Sequence, residues 1–160
     1  MSTSPLQIRP MTVADAEAVC RWRYEGELAS YDIPPAEFVE SVEYMTDPGN
    51  GFFAVRRGNE LIGFCSMGAD GQVPGGPYDD SAVDVGAGMR PDLVGKGVGS
   101  QFLREVVTFL RSMAGDAPLR ATIASWNGRA LAAAQAAGFH SRQTFESPSG
   151  TQYTVLSLER

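Results

Sequence analysis

The polar and apolar positions alternate in blocks whose period changes along the chain. Leu6 to Arg9 reads as a short first strand. Thr12 with Asp15 three residues later forms a box-like helix start, and the helix it opens is expected through "DAEAVCRWRYEG", as far as Gly26. "AEFVESVEYM" reads as a second helix stopped by Asp47, Pro48 and Gly49. "GFFAVRR" and "ELIGFCSMG" flank Gly58-Asn59 as a hairpin, and "AVDVGAGM" is a further strand. In "SQFLREVVTFLRSMAG" the residues Phe102, Leu103, Val106, Val107, Leu110 and Met113 recur at helical spacing and make one broad apolar face. "LRATIASW" is a strand, and "NGRALAAAQAAG" is an alanine-rich helix closed by Gly138. "FHSRQTFE" and "TQYTVLSLE", joined by "SPSG", close the chain as two strands of a hairpin. The expected fold class is α/β in the α+β sense, with helices packed over a largely antiparallel sheet. No repeat or linker divides it, so residues 1–160 are expected to form a single domain.

Composition narrows the class. A length of 160 residues with 43% hydrophobic and 20% charged side chains suits one globular core. A net charge of −6 leaves the chain without the basic footprint of a nucleic-acid binder. Cys20 and Cys65 form no CxxC pair, and His140 is the only histidine, so no metal site is expected. "MSTSPLQIRP" lacks a signal peptide's apolar core and no segment is long enough to span a bilayer, which makes a cytoplasmic protein with no membrane partner the expectation.

The chemistry concentrates in "DLVGKGVGS", Asp92 to Ser100, where Gly95, Gly97 and Gly99 crowd the junction of a strand and a helix. Glycine is a poor helix former, so its use there points to a need for bare backbone. The first N–H groups of a helix lack internal partners and carry the positive end of its dipole. An anion such as a pyrophosphate can approach them closely where side chains are absent, with Lys96 at the rim. Two nucleotide motifs fail in detail. A P-loop would require glycine where Arg90 stands, and a GxGxxG fingerprint would require it where Ser100 stands. A dinucleotide-binding module is therefore the weaker alternative.

The stretch "DVGAGMRPDLVGKGVGSQFL" resembles the acetyl-CoA-binding signature of the GNAT superfamily of N-acetyltransferases. "IRPMTVADAEAV" is similar to the first strand and helix of that family. "ATIASWNGRALAAAQAAGF" is similar to its second motif through Asn127, Ala130, Gly138 and Phe139. The resemblance implies a sheet splayed at the acetyl-CoA site. Val94, Gly95, Lys96, Gly97, Val98, Gly99 and Ser100 would hold the pyrophosphate through main-chain N–H groups. Ala87, Gly88 and Met89 would pair with the pantetheine arm, the N–H near Met89 polarising the thioester carbonyl, and Asn127 would touch the arm from the start of its helix.

The resemblance has gaps. The residue that opens the pyrophosphate turn, commonly Arg or Gln, is Val94; the tyrosine often used as general acid falls on Ala134, beside Ala133; and the glutamate that serves as base in the ribosomal-protein acetylating branch falls on Thr122, which disfavours that branch. Asp84 is the first candidate for the proton acceptor, with solvation or a structural role as the competing reading. Glu25, Tyr31 and Asp32 are expected on the acceptor side, and Tyr31 or Tyr153 could replace the missing acid. The loop "DGQVPGGPYDD" is read either as a mobile flap over the acceptor or as a plain surface connection. The implied activity is acetyl transfer from acetyl-CoA to a primary amine of a small molecule or a protein N-terminus. The alternative is an acyl-CoA-binding sensor with little turnover. The free sheet edge and the terminal hairpin offer a surface for a homodimer.

Overall fold

The computed structural model describes residues 5–159. Seven strands in the order β1-β2-β3-β4-β5-β7-β6 carry four α-helices. The strands are β1 Gln7–Pro10, β2 Phe52–Arg57, β3 Glu60–Met67, β4 Val83–Met89, β5 Leu119–Ala124, β6 His140–Glu146 and β7 Gln152–Leu158. The helices are α1 Val13–Arg21, α2 Phe38–Thr46, α3 Gly99–Ala114 and α4 Gly128–Ala136. The chain forms two compact units: residues up to Cys65 together with Ala87–Gly99, and Ser66–Gly86 together with the chain from Ser100 onward. Each is described by itself.

In the first unit, β1 runs antiparallel to β2 from Gln7↔Arg56 to Pro10↔Phe53. Helix α1 begins as the sequence anticipates. Thr12 accepts from the Asp15 N–H at 3.1 Å, and Asp15 accepts from the Thr12 N–H at the same distance. Asp15 is buried and also binds Arg9 at 3.2 Å and Arg56 at 3.0 Å, so the cap doubles as an ionic tie between α1 and the β1–β2 pair. Met11, Ala16, Val19, Cys20, Met45, Phe52 and Ala54 form the core under α1 and α2. The helix ends five residues before the expected Gly26. Trp22 adopts extended backbone, and a 3-10 turn follows over Gly26–Tyr31. The helical propensity of "RWRYEG" yields because Trp22 turns its ring onto Phe64, with centroids 6.3 Å apart.

Phe64 also packs on Phe52 at 6.1 Å and lies against Gly88, so closely that a Cβ there would run into its ring. This is why β4 carries a glycine in mid-strand. Gly88→Ala is expected to force the Phe64 ring off Trp22 and Phe52 and to cost about 1–3 kcal/mol. A drop in the thermal midpoint of several degrees checks it, whereas an unchanged midpoint would contradict the packing.

In the second unit, β4 and β5 run parallel over Val83↔Leu119 to Val85↔Ala121. Helix α3 makes the connection between them, burying Phe102, Val106, Val107 and Leu110, while Met113 in its last turn is exposed. Strand β7 pairs antiparallel with β5 along Leu119↔Leu158 to Ala124↔Tyr153, and with β6 as the expected terminal hairpin. Only one of the adjacent strand pairs described is parallel, because α3 is the crossover that a parallel pair needs. No described helix is long and apolar enough to cross a membrane.

Candidate active site

Strand alternation sets what β4 offers. The Arg90 N–H donates to Ile62 O at 2.8 Å, and Asp84 O accepts from the Gly68 N–H at 2.8 Å. Even-numbered residues of β4 therefore spend their main-chain groups on the β3 side. Odd-numbered residues face the other edge. There Val83 donates to Pro118 O at 2.9 Å, and the β5 register runs only to Val85. Ala87 and Met89 direct N–H and C=O to the edge away from β3, on a stretch kept narrow by Gly88.

Beyond β4, Pro91–Leu93 makes a single 3-10 turn. The Val94 N–H donates to Pro91 O at 3.2 Å and the Lys96 N–H to Leu93 O at 3.3 Å. These turn bonds occupy two of the amides expected to face a pyrophosphate. Gly95 and Gly97 take φ of +77° and +81°, a conformation that L side chains rarely adopt, and a Cβ on Gly97 would meet open space. The chain thus kinks twice and delivers Val98, Gly99 and Ser100 into the first turn of α3, whose leading N–H groups have no intrahelical acceptor. Lys96 is exposed beside this turn. Arg90 lies at its entrance, bound to Asp92 at 2.6 Å, and the guanidinium holds the Asp92 carboxyl below the ordinary carboxylate range.

The acceptor-side expectations fall on the segment after α1. Glu25 precedes the 3-10 turn and Tyr31 closes it, and both are exposed. Asp32 accepts from the Tyr24 N–H at 2.9 Å. Sequence reasoning missed Tyr24, whose hydroxyl donates to Met89 O at 2.7 Å. Burial, then the neighbouring Asp32 carboxylate, pushes the Tyr24 phenol up to about 12. A group whose folded pKa is raised supports the fold fully below its unfolded value, near 10, and loses that support as pH climbs toward the folded value. Wild-type protein is therefore expected to lose thermal stability between about pH 10 and pH 12 more steeply than Tyr24→Phe, as a melting series across that range would record.

In the second unit Asp84 is 5% exposed and its oxygens are already engaged. Arg120, facing it on β5, donates from Nε to Oδ1 at 2.7 Å and from Nη2 to Oδ2 at 2.9 Å, and Gln72 adds Nε2 to Oδ2 at 3.0 Å. Arg120 also reaches Asp79 Oδ1 at 3.1 Å and the Asp79 carbonyl at 2.9 Å, with its guanidinium 5.2 Å from the centre of the Tyr78 ring. Its pKa rises, chiefly through the Asp84 hydrogen bonds. The Tyr78 hydroxyl shares a 2.8 Å hydrogen bond with Thr122 and accepts from the Val73 N–H at 2.9 Å. The Gly/Pro-rich loop, read as a flap or a plain connection, is pinned onto β4 and β5 by this network. Asn127 caps α4, its Oδ1 accepting from the Ala130 N–H at 3.2 Å, and Ala134 on that helix is buried. Among the described residues no three His, Cys, Asp or Glu side chains gather as a metal site.

The family model of the Acetyltransferase (GNAT) domain matches residues 6–140, from the first strand to the first residue of β6. The chain belongs to the GNAT acetyltransferase family. Within it, the chain is similar to the N-alpha-acetyltransferase RimI of Mycobacterium tuberculosis, with 28% identity over 109 residues. That match takes in 68% of this chain and 65% of the relative, so it spans just under two thirds of that protein's length. Among solved structures, the aminoglycoside acetyltransferase AAC(6')-Ib in complex with ribostamycin and coenzyme A has 18% identity and a TM-score of 0.74, covering 97% of this chain and 93% of that one. A spermidine N-acetyltransferase SpeG chimera from Vibrio cholerae and hSSAT has 16% identity and a TM-score of 0.73, covering 98% and 96%. These likenesses establish a shared GNAT fold.

Proposed function

We propose that this GNAT protein transfers the acetyl group of acetyl-CoA to a primary amine, of a small molecule or of a protein N-terminus, as a single cytoplasmic domain. The observation that carries the proposal is the succession of a β4 edge that runs on past the β5 register at Ala87 and Met89, a turn bent at Gly95 and Gly97, and the leading amides of α3. These residues fit the cofactor. Gly97, Val98, Gly99 and Ser100 would hold the diphosphate by main-chain N–H groups, with Lys96 adding charge and Val94 and Lys96 shaping the turn. Ala87 and Met89 would pair with the pantetheine arm, and Gly88 keeps that strand thin. Bound there, acetyl-CoA supplies an activated acyl group, and the protein's part is to polarise it and to receive a neutral amine.

Asp84 serves as an anchor for the loop and not as the amine's proton acceptor. Both of its oxygens already accept hydrogen bonds that tie it to neighbouring side chains, Oδ1 from Arg120 Nε and Oδ2 from Arg120 Nη2 and Gln72 Nε2. The exposed Glu25 and Tyr31 remain candidates for orienting the amine. An amine acceptor draws support from the relatives, whose names specify N-alpha, aminoglycoside and spermidine acetylation. A second reading, an acyl-CoA sensor with little turnover, draws on Ala134, a buried alanine where the family often has its acid. Thiol release from acetyl-CoA across a panel of peptides, polyamines and aminoglycosides decides between them. Turnover with an amine is the expected result; tight acetyl-CoA binding without turnover on any amine selects the sensor, and no binding at all overturns both.

A further inference from the structure

The chain leaves α1 at Arg21 and runs extended through Trp22. Side chains two apart on an extended segment point the same way, whereas on a helix they would diverge by about 200°. Trp22 goes to Phe64, and Tyr24 reaches the end of β4, where its hydroxyl meets Met89 O at 2.7 Å. The Met89–Arg90 peptide is consequently held at both ends, its carbonyl by Tyr24 and its N–H by Ile62 O at 2.8 Å. Tyr24 is itself fixed through its own N–H, bonded to Asp32 at 2.9 Å. The phenol titrates near 12, so it stays a donor at every pH at which such an enzyme works.

We propose that Tyr24 is a positioning residue for the cofactor edge: its hydroxyl holds the Met89 carbonyl so that the last residues of β4 stand ready, before any ligand arrives, to pair with the pantetheine arm. The inference rests on the cofactor reading given above. Preformed edges bind better because less chain must be ordered on binding. A carbonyl oxygen carries two lone pairs, so the Tyr24 bond orients Met89 without exhausting it. The same contact links the segment carrying Glu25 and Tyr31 to the strand that would hold the thioester.

The test is Tyr24→Phe, which keeps the ring and removes only the hydroxyl, titrated calorimetrically with acetyl-CoA and with the phosphoadenosine diphosphate portion of coenzyme A lacking its pantetheine arm. The net worth of one hydrogen bond predicts acetyl-CoA affinity lowered about fivefold, with the arm-less fragment bound as by wild type. Affinity for acetyl-CoA that is unchanged or tighter overturns the proposal, the latter by making Tyr24 a competitor for Met89. Equal weakening of both ligands also overturns it, since that marks general loosening. If wild-type protein binds the fragment but gains nothing from the arm, the cofactor reading of β4 itself fails, a result distinct from any failure of Tyr24.

Discussion

Gly97→Glu is expected to abolish acetyl-CoA binding while leaving a folded protein. Gly97 sits at φ +81° with open space where a side chain would go. The Cβ of a glutamate meets no obstacle there, and the backbone carries the left-handed penalty, about 1–2 kcal/mol. For a chain of this length that is a fall in thermal midpoint of roughly 2–8 °C. Its carboxylate would stand beside the leading amides of α3, where it competes with and repels a diphosphate. Affinity should fall at least about 100-fold, equivalent to roughly 2.7 kcal/mol. Gly97→Ala separates the causes, since it carries the backbone penalty without the charge and should bind far better than the glutamate variant. Calorimetric titration of both with acetyl-CoA reads the outcome. Wild-type affinity in Gly97→Glu would show that the diphosphate lies elsewhere.

Arg120→Ala is expected to have the largest effect on stability. Arg120 and Asp84 are 6% and 5% exposed, so removing the guanidinium strands a buried carboxylate. Breaking a buried pair from one side costs about 3–5 kcal/mol, and a fall in thermal midpoint of about 6–20 °C would follow. The loop should loosen as well, because Asp79 and Tyr78 lose the group they rest on. Replacing both partners, as in Asp84→Asn with Arg120→Met, should recover much of the loss, since it leaves no unpaired charge. Midpoints of wild type and the two variants, with protease sensitivity between residues 72 and 81, measure both consequences. A single variant no less stable than wild type would refute the anchor.

The two predictions differ in how visible their residues are in the sequence. The glycines announce themselves. Three of them between an apolar strand pattern and a strong helical stripe have few explanations, and two of them do take positive φ. Thr12 and Asp15 were equally legible because a capping box is a contact between residues three apart. The hairpin of β6 and β7 follows from a turn flanked by two alternating runs. Arg120 was not legible. Nothing within "LRATIASW" distinguishes an arginine that will be buried from one that stays in water, and its partners Asp84 and Asp79 lie 36 and 41 residues away. From the sequence Asp84 is consequently a candidate proton acceptor with a solvated or structural role as the competing reading, and nothing in its neighbours decides between them. Tyr24 was hidden for a related reason. Local propensity carried α1 through Gly26, and a tyrosine in a helical frame points nowhere near a residue 65 positions later.

Local chemistry by itself determined the element order, the capped start of α1, the apolar stripe of α3 and the glycine-built turn, because each depends on neighbours a few residues apart whose periodicity or backbone freedom is written in the chain. Tertiary structure alone decided that β7 enters between β5 and β6, that Trp22 leaves the helix for Phe64, that Tyr24 closes on Met89 and that Arg120 captures Asp84. Those outcomes depend on burial and on charge pairing across long stretches of chain. There, the gain from burying an aromatic ring and the cost of leaving a buried charge unpaired outweigh local preferences of a few tenths of a kcal/mol per residue.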